Sequence, residues 1–312
     1  NNISITVPPT ERHNGTPGSG FRLEFGAGVE IVLDQPNLYI TFDGIEIDGN
    51  GAGGRFNFPS NANMNPTIKN CIIHDISGSA FFIRVIGTLH AYNNVIYSIS
   101  GNAFNFYTTG AGYHYICNNT IYDYDSGGGG NPAIYLRDDV SSTVVAINNI
   151  VIAVHASAGA AFAVQTGATG GFDTSSNYNL TSDGSAPGDQ SIEYGDSATA
   201  LAAVAFANVG SRDLRLTSIS TARNAGVPGM LGEDILGHAR RHDPAWDIGA
   251  HEFVSPEDQG TASGTPNSVR LIRNNGGRTI SQIRRQGNTV TVTLSGAWPS
   301  NGAGVVNLKA GQ

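Results

Sequence analysis

The chain repeats one short pattern four times: Lys69-Asn70-Cys71-Ile72-Ile73, Asn93-Asn94-Val95-Ile96-Tyr97, Asn118-Asn119-Thr120-Ile121-Tyr122 and Asn148-Asn149-Ile150-Val151-Ile152. If Asn70, Asn94, Asn119 and Asn149 are equivalent, the successive copies are 24, 25 and 30 residues apart. Self-similarity at a period of about 20 to 50 residues is typical of solenoids and arrays. The stretch from Ile68 to Asn179 therefore decides the fold.

The second half of each repeat shows the alternation of a β-strand. Two apolar columns lie two positions apart, which places them on one face of a strand. The first column contains Phe81, Phe104, Ile134 and Phe162, and the second contains Ile83, Phe106, Leu136 and Val164. The variable columns contain Phe82, Asn105, Tyr135 and Ala163, and then Arg84, Tyr107, Arg137 and Gln165. We expect the apolar columns to face the interior and the variable columns to face solvent.

Each repeat contains enough strands to close a coil. The repeat asparagine is expected to point inward at a bend, where stacked amides bond to each other at the strand spacing of about 4.8 Å. A third strand is expected at Thr88 to Tyr92, Tyr113 to Cys117 and Thr143 to Ile147. Three short strands per repeat predict an all-β fold, a right-handed parallel β-helix. Before the regular coils, Asp43-Gly44 is expected to replace the asparagine pair, and Gly49 to Pro66 to form a loop outside the coil.

Composition excludes several classes of protein. Only 13% of the residues are charged, 39% are hydrophobic and 41 are glycine, which favours a β-rich chain with a large core. The net charge of -8 and the lack of a dense basic face argue against a nucleic-acid partner. No run of about 18 apolar residues is present, so no membrane span is expected. Cys71 and Cys117 lie two coils apart in the predicted repeat, too far for a disulfide, and are expected to be free thiols.

The sequence divides into three parts. Residues 1–254 are expected to form the β-helix with a closing segment at about 208–254, residues 255–267 a polar linker, and residues 268–312 a small C-terminal β-module. The module is basic and is expected to bind a partner through its arginines, in a homotrimer or on a virion or cell-surface protein. These arginines are Arg270, Arg273, Arg278, Arg284 and Arg285. The competing interpretation is that the module folds back on the helix and caps it.

The closing segment carries a family resemblance. Its motifs are Asp213-Leu214-Arg215-Leu216, Asn224-Ala225-Gly226, Asp234-Ile235-Leu236-Gly237 with Arg240, and Asp247-Ile248-Gly249-Ala250-His251-Glu252-Phe253. Over roughly residues 37–254 the chain resembles β-helix proteins of the pectate-lyase-like superfamily, in particular bacterial and phage surface proteins with a choice-of-anchor type ending. His251 departs from the tyrosine usual there. The resemblance implies the architecture but no single activity, because the superfamily includes lyases, hydrolases, phage tailspikes and inert surface proteins.

Catalysis on this fold would act on a polysaccharide. A hydrolase needs two carboxylates about 5 Å or about 6.5 to 9.5 Å apart, and a lyase needs a base near groups that neutralise a uronate. The catalytic candidates are Asp123, Asp125, Arg137, Asp138 and Asp139. However, the hydrolase motifs that the resemblance implies, Asn-Thr-Asp, Asp-Asp, Gly-His-Gly and Arg-Ile-Lys in order, are absent as a set. An acidic pair at a strand end is also common in solvated turns.

The outward columns offer a binding face without catalysis. The glycan-binding candidates are Phe82, Arg84, Asn105, Tyr107, Tyr135 and Arg137. The histidines show no metal-binding spacing, so no transition-metal site is expected. Calcium held by loop Asp and Asn oxygens is the one cofactor considered, although no fixed ligand array is present.

These observations favour a non-enzymatic β-helix of a virion or cell surface. Such a protein would act as a rigid rod, in a phage spike, a fibre or a capsid-decorating protein, with a glycan as one candidate ligand. The location would be extracellular, at a cell surface or on a virion. The alternative is a polysaccharide lyase or glycoside hydrolase that acts on an extracellular glycan.

Overall fold

The computed structural model describes residues 2–33, 35, 37–59, 63–84, 87–107, 112–137, 141–240 and 245–254, together with four strands of the C-terminal part. Contacts divide the chain into two compact units, Asn1–Phe253 and Val254–Gln312. None of the helices in the described part of the chain combines the length and apolar character needed to cross a membrane.

The first unit contains a parallel β-solenoid of about six turns, as the repeats predict. Its strands are β1 (Asn2–Thr6), β2 (Arg22–Glu24), β3 (Ile31–Val32), β4 (Tyr39–Asp43), β5 (Glu46–Gly53), β6 (Phe56–Phe58), β7 (Asn65–Lys69), β8 (Ile72–Ile76), β9 (Phe81–Ile83), β10 (His90–Tyr92), β11 (Val95–Ile99), β12 (Phe104–Phe106), β13 (Tyr113–Cys117), β14 (Thr120–Tyr124), β15 (Ile134–Leu136), β16 (Thr143–Ile147), β17 (Ile150–Ala153), β18 (Phe162–Val164), β19 (Gly171–Phe172), β20 (Leu180–Thr181) and β21 (Ile192–Glu193).

Each coil contributes one strand to each of three sheets. Sheet A has the order β1-β4-β7-β10-β13-β16-β19, sheet B the order β2-β5-β8-β11-β14-β17-β20-β21, and sheet C the order β18-β15-β12-β9-β6-β3. Pairing is parallel throughout these sheets, so every coil stacks on the coil before it. Backbone groups in the middle coils therefore find partners in both neighbours.

The interior is built from the apolar columns. Phe56, Phe81 and Phe104 stack with ring centroids 5.1 and 4.5 Å apart, because equivalent positions in successive coils lie one strand spacing apart. Ile83, Phe106 and Leu136 are fully buried beside them. Val164 departs from the prediction and is 42% exposed. It lies on β18, the last strand of sheet C, where no further coil covers it.

An asparagine ladder fills the bend between sheets A and B, as predicted. The side-chain N–H of Asn94 donates to Oδ1 of Asn119 at 3.0 Å, Asn119 donates to Asn149 at 3.0 Å, and Asn149 donates to Asn179 at 2.9 Å. All four amides are fully buried. The ladder aligns these coils through hydrogen bonds that leave no amide unpaired.

The expected register is wrong by one residue before Asn93. Cys71 occupies the ladder position, and its backbone N–H donates to Asn94 Oδ1 at 3.0 Å. Asn70 instead has a left-handed backbone conformation with φ near 55°. The first asparagine of each later pair has the same conformation. In the coil before, Gly44 has φ of 78° and donates its backbone N–H to the carbonyl of Lys69, so Gly44-Ile45 takes the place predicted for Asp43-Gly44.

Gly49 to Pro66 does not form a loop outside the coil. It contains part of β5 and all of β6, which complete the second coil. It also contains the start of β7, which begins the third coil. The N-terminal residues supply a further coil with one strand in each sheet. The two cysteines are free, as predicted. Burial raises the pKa of both thiols to about 12.

The closing segment follows the last coil. It contains α1 (Ser197–Val204), β22 (Phe206–Asn208), a short 3-10 helix (Val209–Ser211) and β23 (Asp213–Leu216). In the second unit, β24 (Val269–Leu271) pairs antiparallel with β27 (Leu308–Ala310), and β25 (Ile280–Gln286) pairs antiparallel with β26 (Thr289–Leu294).

Candidate functional site

The closing segment covers the outer face of sheet B. Leu214, Ile235 and Ile248 form a second apolar cluster with Tyr97 and Ile150, which lie on strands of that sheet. The closing segment, which we also call the cover, therefore buries Tyr97 and Tyr122 on the outer face of sheet B. The outer face of sheet C has no such cover among the described residues, which makes it the stronger candidate for ligand contact.

Hydrogen bonds of Arg240 and Asn148 hold the closing segment together and tie it to the coils. The Arg240 guanidinium donates to Asn93 Oδ1 at 3.0 Å and to the carbonyls of Gly249 and Ala250 at 2.9 and 3.3 Å. The Asn148 side chain donates to the carbonyl of Val227 at 2.7 Å and accepts its N–H at 3.1 Å. Asn93 and Asn148, the first asparagines of two pairs, therefore face outward and anchor the closing segment, a role that the repeat pattern alone did not reveal.

Sheet C brings the glycan-binding candidates together. In its register Phe82 pairs with Asn105, and Asn105 pairs with Tyr135. Arg84, Tyr107 and Arg137 each lie one residue beyond β9, β12 and β15, so they form a second outward column. Most of these side chains are half-buried, but Asn105 is only 8% exposed because neighbours in adjacent coils cover it.

The two columns form a stack in which cations alternate with aromatic rings. The Arg84 guanidinium carbon lies 4.5 Å from the centroid of the Phe82 ring and 4.9 Å from that of Tyr107. The Arg137 guanidinium carbon lies 4.3 Å from the centroid of Tyr107. Arg84 and Arg137 come from the coils on either side of Tyr107, so guanidinium groups cover both faces of this ring. We call Phe82, Arg84, Tyr107 and Arg137 the arginine–aromatic stack.

Arg55 extends the stack to the second coil but is neutralised there. Its guanidinium carbon lies 5.3 Å from the Phe82 ring centroid, and its Nη2 lies 2.5 Å from Glu30 Oε1. Sequence reasoning missed Arg55 because it assigned Gly49 to Pro66 to a loop. The alternation of Arg55, Phe56, Asn57 and Phe58 was the signal that could have found this strand.

Arg84 and Arg137 have no such neutralising partner. Within the described ranges, no carboxylate lies within 4 Å of either guanidinium group. The Nε atoms of both residues are buried without a hydrogen-bond partner. Ring stacking thus holds both guanidinium groups in place, and no carboxylate among the described residues neutralises them.

Tyr135 lies at the far end of the face. Its hydroxyl donates to Oε1 of Gln165 at 2.7 Å, which links β15 to the residue that follows β18. The Asn105 side chain donates to Ser79 Oγ at 3.4 Å, and its Oδ1 is buried without a partner. These amides and hydroxyls add neutral polar groups beside the stack.

Asp123 lies away from this face, on sheet B. Its Oδ2 is 3.2 Å from Arg212 Nη2 and 3.3 Å from Ser98 Oγ, and Arg212 comes from the closing segment. Burial raises the pKa of Asp123, although the Arg212 charge opposes that shift. The carboxylate therefore joins the cover to the coils.

Asp125 is fully buried and organises its own turn. Its carboxylate accepts the backbone N–H groups of Gly129 and Asn131 at 3.1 and 2.9 Å, and the Asn131 side chain at 2.7 Å. These bonds close the glycine-rich insertion that lengthens this coil. Asp138 and Asp139 lie outside the described residues.

The proposed partner arginines belong to the second unit. Arg270 lies in β24, and Arg284 and Arg285 lie in β25. Arg273 and Arg278 lie outside the described residues. No structural finding tests their role.

Among the described residues, one group has the composition of a metal site. It consists of Asp48, His74 and Asp75 on sheet B. However, His74 Nδ1 is 2.8 Å from Asp75 Oδ2, and Nε2 is 3.1 Å from Glu46 Oε1. Burial acts to lower the pKa of His74, but the hydrogen bonds to Glu46 and Asp75 outweigh it and raise this pKa above its ordinary value. Both ring nitrogens of His74 are engaged with carboxylates, so neither offers a free lone pair to a metal, and the geometry favours a hydrogen-bonded acidic cluster.

Comparison with protein-family models, with curated proteins and with solved structures gave no match to this chain. The parallel β-helix follows from the structure itself. The resemblance to the pectate-lyase-like superfamily and to its closing motif stays a prediction from the sequence.

Proposed function

We propose that this chain is a non-enzymatic β-helix of an extracellular or virion surface, a rigid rod that binds a glycan along sheet C. The observation that carries the proposal is the composition of the two outward columns. They contain Asn, Phe, Tyr, Arg and small residues from Asn57 to Gln165, and none of their described members is a carboxylate. Hydrolysis of a glycosidic bond needs two carboxylates at the reacting bond.

The rod interpretation is supported by the stacking of the coils. Each middle coil is bonded on both sides through three sheets and the asparagine ladder. Solenoids of this kind resist bending and present long, regular outer faces, which are used as binding surfaces. A spike, a fibre or a capsid-decorating protein needs both properties.

The catalytic alternative keeps one supporting observation, the raised pKa of Asp123. A general acid needs such a shift. However, Asp123 is hydrogen-bonded to Arg212 and Ser98 beneath the cover, and Asp125 is buried in its turn. Neither carboxylate is placed beside the arginine–aromatic stack.

The test is incubation of the full chain with neutral and acidic polysaccharides, followed by assays for new reducing ends and for the ultraviolet absorbance of unsaturated products. We expect no turnover and measurable binding to at least one polysaccharide by titration calorimetry. Turnover that Asp123→Asn abolishes would overturn the proposal and favour a hydrolase or lyase.

A further inference from the structure

The arginine–aromatic stack presents charge to a ligand and hides its ring faces. A sugar binds an aromatic side chain by laying its C–H groups on the ring face. In this protein the neighbours one coil away already cover both faces of Tyr107, at 4.9 and 4.3 Å. The edges of the guanidinium groups remain, and each edge carries hydrogen-bond donors that suit a planar carboxylate.

The charge distribution indicates the same kind of ligand. The protein has a net charge of -8, and most of its described arginines are paired with carboxylates, including Arg12, Arg22, Arg55, Arg212, Arg215 and Arg240. Arg84 and Arg137 lack a carboxylate partner among the described residues and lie in one column. Two cations that no described carboxylate neutralises attract an anion to this place rather than to the surface in general.

The spacing of the two cations restricts the ligand further. Arg84 and Arg137 are separated by two coils, roughly 9 to 10 Å along the stack, with the uncharged Tyr107 between them. A β-linked pyranose residue extends along its chain by a length close to one strand spacing. An anionic group on every second sugar would therefore meet every second coil.

We infer that sheet C binds a linear acidic polysaccharide that carries one carboxylate on every second sugar and lies parallel to the solenoid axis. This inference rests on the proposed glycan binding and specifies its ligand. Arg84 and Arg137 each bind a carboxylate, and Phe82 and Tyr107 hold the guanidinium groups in position. A single-stranded nucleic acid is disfavoured, because its bases need open ring faces for stacking.

The experiment measures the affinity of the full chain for four polymers. These are hyaluronan, with a carboxylate on every second sugar, polygalacturonate, with one on every sugar, a neutral β-glucan and a single-stranded oligothymidylate. We expect hyaluronan to bind most tightly per unit of chain length, with an affinity that falls as salt concentration rises. Tighter binding of the β-glucan would overturn the inference and leave the proposed glycan binding intact, whereas tighter binding of the oligothymidylate would overturn both.

Variants test the named residues. Arg84→Gln and Arg137→Gln should each lower the affinity for hyaluronan about tenfold or more, since each removes one charge-assisted contact. Arg84→Lys keeps the charge but loses the planar stack, and should recover only part of the affinity. Arg22→Gln, on sheet B, and Arg223→Gln, in the closing segment, are the controls away from the stack and should have little effect.

Other outcomes would contradict the inference. If the control variants lost as much affinity for hyaluronan as the stack variants, binding would be a general electrostatic attraction and not binding at a defined site. Equal affinity for hyaluronan and polygalacturonate would refute the proposed match between arginines two coils apart and carboxylates on every second sugar. Binding to none of the polymers would overturn the inference altogether. Melting curves of the variants show whether a loss of affinity comes from a loss of fold.

Discussion

Asn119 illustrates how much one buried amide does in this solenoid. Its side-chain N–H groups donate to Asn149 Oδ1 and to the carbonyl of Ala91, and its Oδ1 accepts both the backbone N–H and the side chain of Asn94. One side chain thus satisfies polar groups in three successive coils. Leaving buried groups without partners costs about 1 to 3 kcal/mol for each group.

We expect Asn119→Ala to lower the free energy of unfolding by about 3 kcal/mol or more, because it leaves several of these groups unsatisfied. Urea unfolding followed by circular dichroism measures the loss. Asn63→Ala, at an exposed asparagine, is the control and should change stability by about 0.5 kcal/mol or less. A loss of equal size in both variants would show that the ladder contributes nothing special.

His251 is the residue through which acid should weaken the fold. It is 2% exposed, and neither ring nitrogen has a hydrogen-bond partner. Burial lowers its pKa to about 4, although the nearby Asp234 and Asp213 oppose the shift and Arg215 and His13 reinforce it. The unfolded chain, with a pKa of about 6.5, therefore takes up the proton first. Stability from the neutral ring is present above about pH 6.5 and is lost as the pH falls towards 4.

We expect His251→Phe to remove this pH dependence. Between pH 7 and pH 4.5 the unmodified chain should lose roughly 2 to 3 kcal/mol more stability than the variant, since each unit of pKa shift corresponds to about 1.4 kcal/mol. Urea midpoints at a series of pH values measure the difference. His155→Phe replaces an exposed histidine and should follow the unmodified chain. Parallel curves for all three proteins would show that folding does not lower the pKa of His251.

At the scale of elements, the closing segment depends on one buried cation. The Arg240 guanidinium is 3.4 Å from Glu252 Oε2 and bonds to Asn93 and to the carbonyls of Asp247, Gly249 and Ala250. Desolvation lowers the pKa of Arg240, with the three surrounding carboxylates opposing the shift. Arg240 thus connects the turn at Asp247 to Ala250 in the closing segment with Asn93 of the coil.

We expect Arg240→Met to release the closing segment while the coils stay folded. Breaking a buried pair costs about 3 to 5 kcal/mol, and the segment has far fewer contacts than the stacked strands. Hydrogen exchange should become faster in residues 206–253 but remain slow in β8, β11 and β14. Arg223→Met, at a partly exposed arginine that bonds the Ser218 carbonyl and stacks on the Phe253 ring, should change exchange far less. Uniformly faster exchange in all strands would mean that cover and coils unfold as one unit.

Predictability from sequence also differed between elements. The strands from β9 to β18 were predicted because their interior columns repeat in fixed positions. The third strand of the second coil, β6, was missed because the glycines before it resemble loop residues, and Phe56 and Phe58 had no clear repeat beside them. A single asparagine, such as Asn70, cannot show whether it is the outward residue with positive φ or the inward member of the ladder.

The candidate site shows the same limit. Alternation of side chains predicted which residues face outward on sheet C. It could not predict that guanidinium groups lie on the ring faces, because that depends on neighbours one coil away. Nor could it place Asp123 against Arg212, which is 89 residues later in the chain. Contacts between the coils and the closing segment have no period and leave no repeat in the sequence.

For the whole molecule, charge separates the two units. Residues 254–312 contain six Lys and Arg residues and two acidic residues, whereas residues 1–253 contain 11 and 23. The second unit is therefore basic and the first strongly acidic. This asymmetry is compatible with attachment to an acidic partner, and it is the basis for expecting that residues 268–312 mediate assembly.

We expect a chain ending at Phe253 to fold and to lose self-association. The first unit has its own continuous core and should keep nearly the same melting temperature, while the basic module, too small for a large core, is expected to bind a partner chain through its arginines. Light scattering of the full and shortened chains at several salt concentrations measures this. A salt-sensitive oligomer that becomes a monomer on shortening would support assembly, because exposed ion pairs weaken with ionic strength. Monomeric masses for both chains would refute the assembly role, and a large drop in melting temperature on shortening would favour the competing role of a cap.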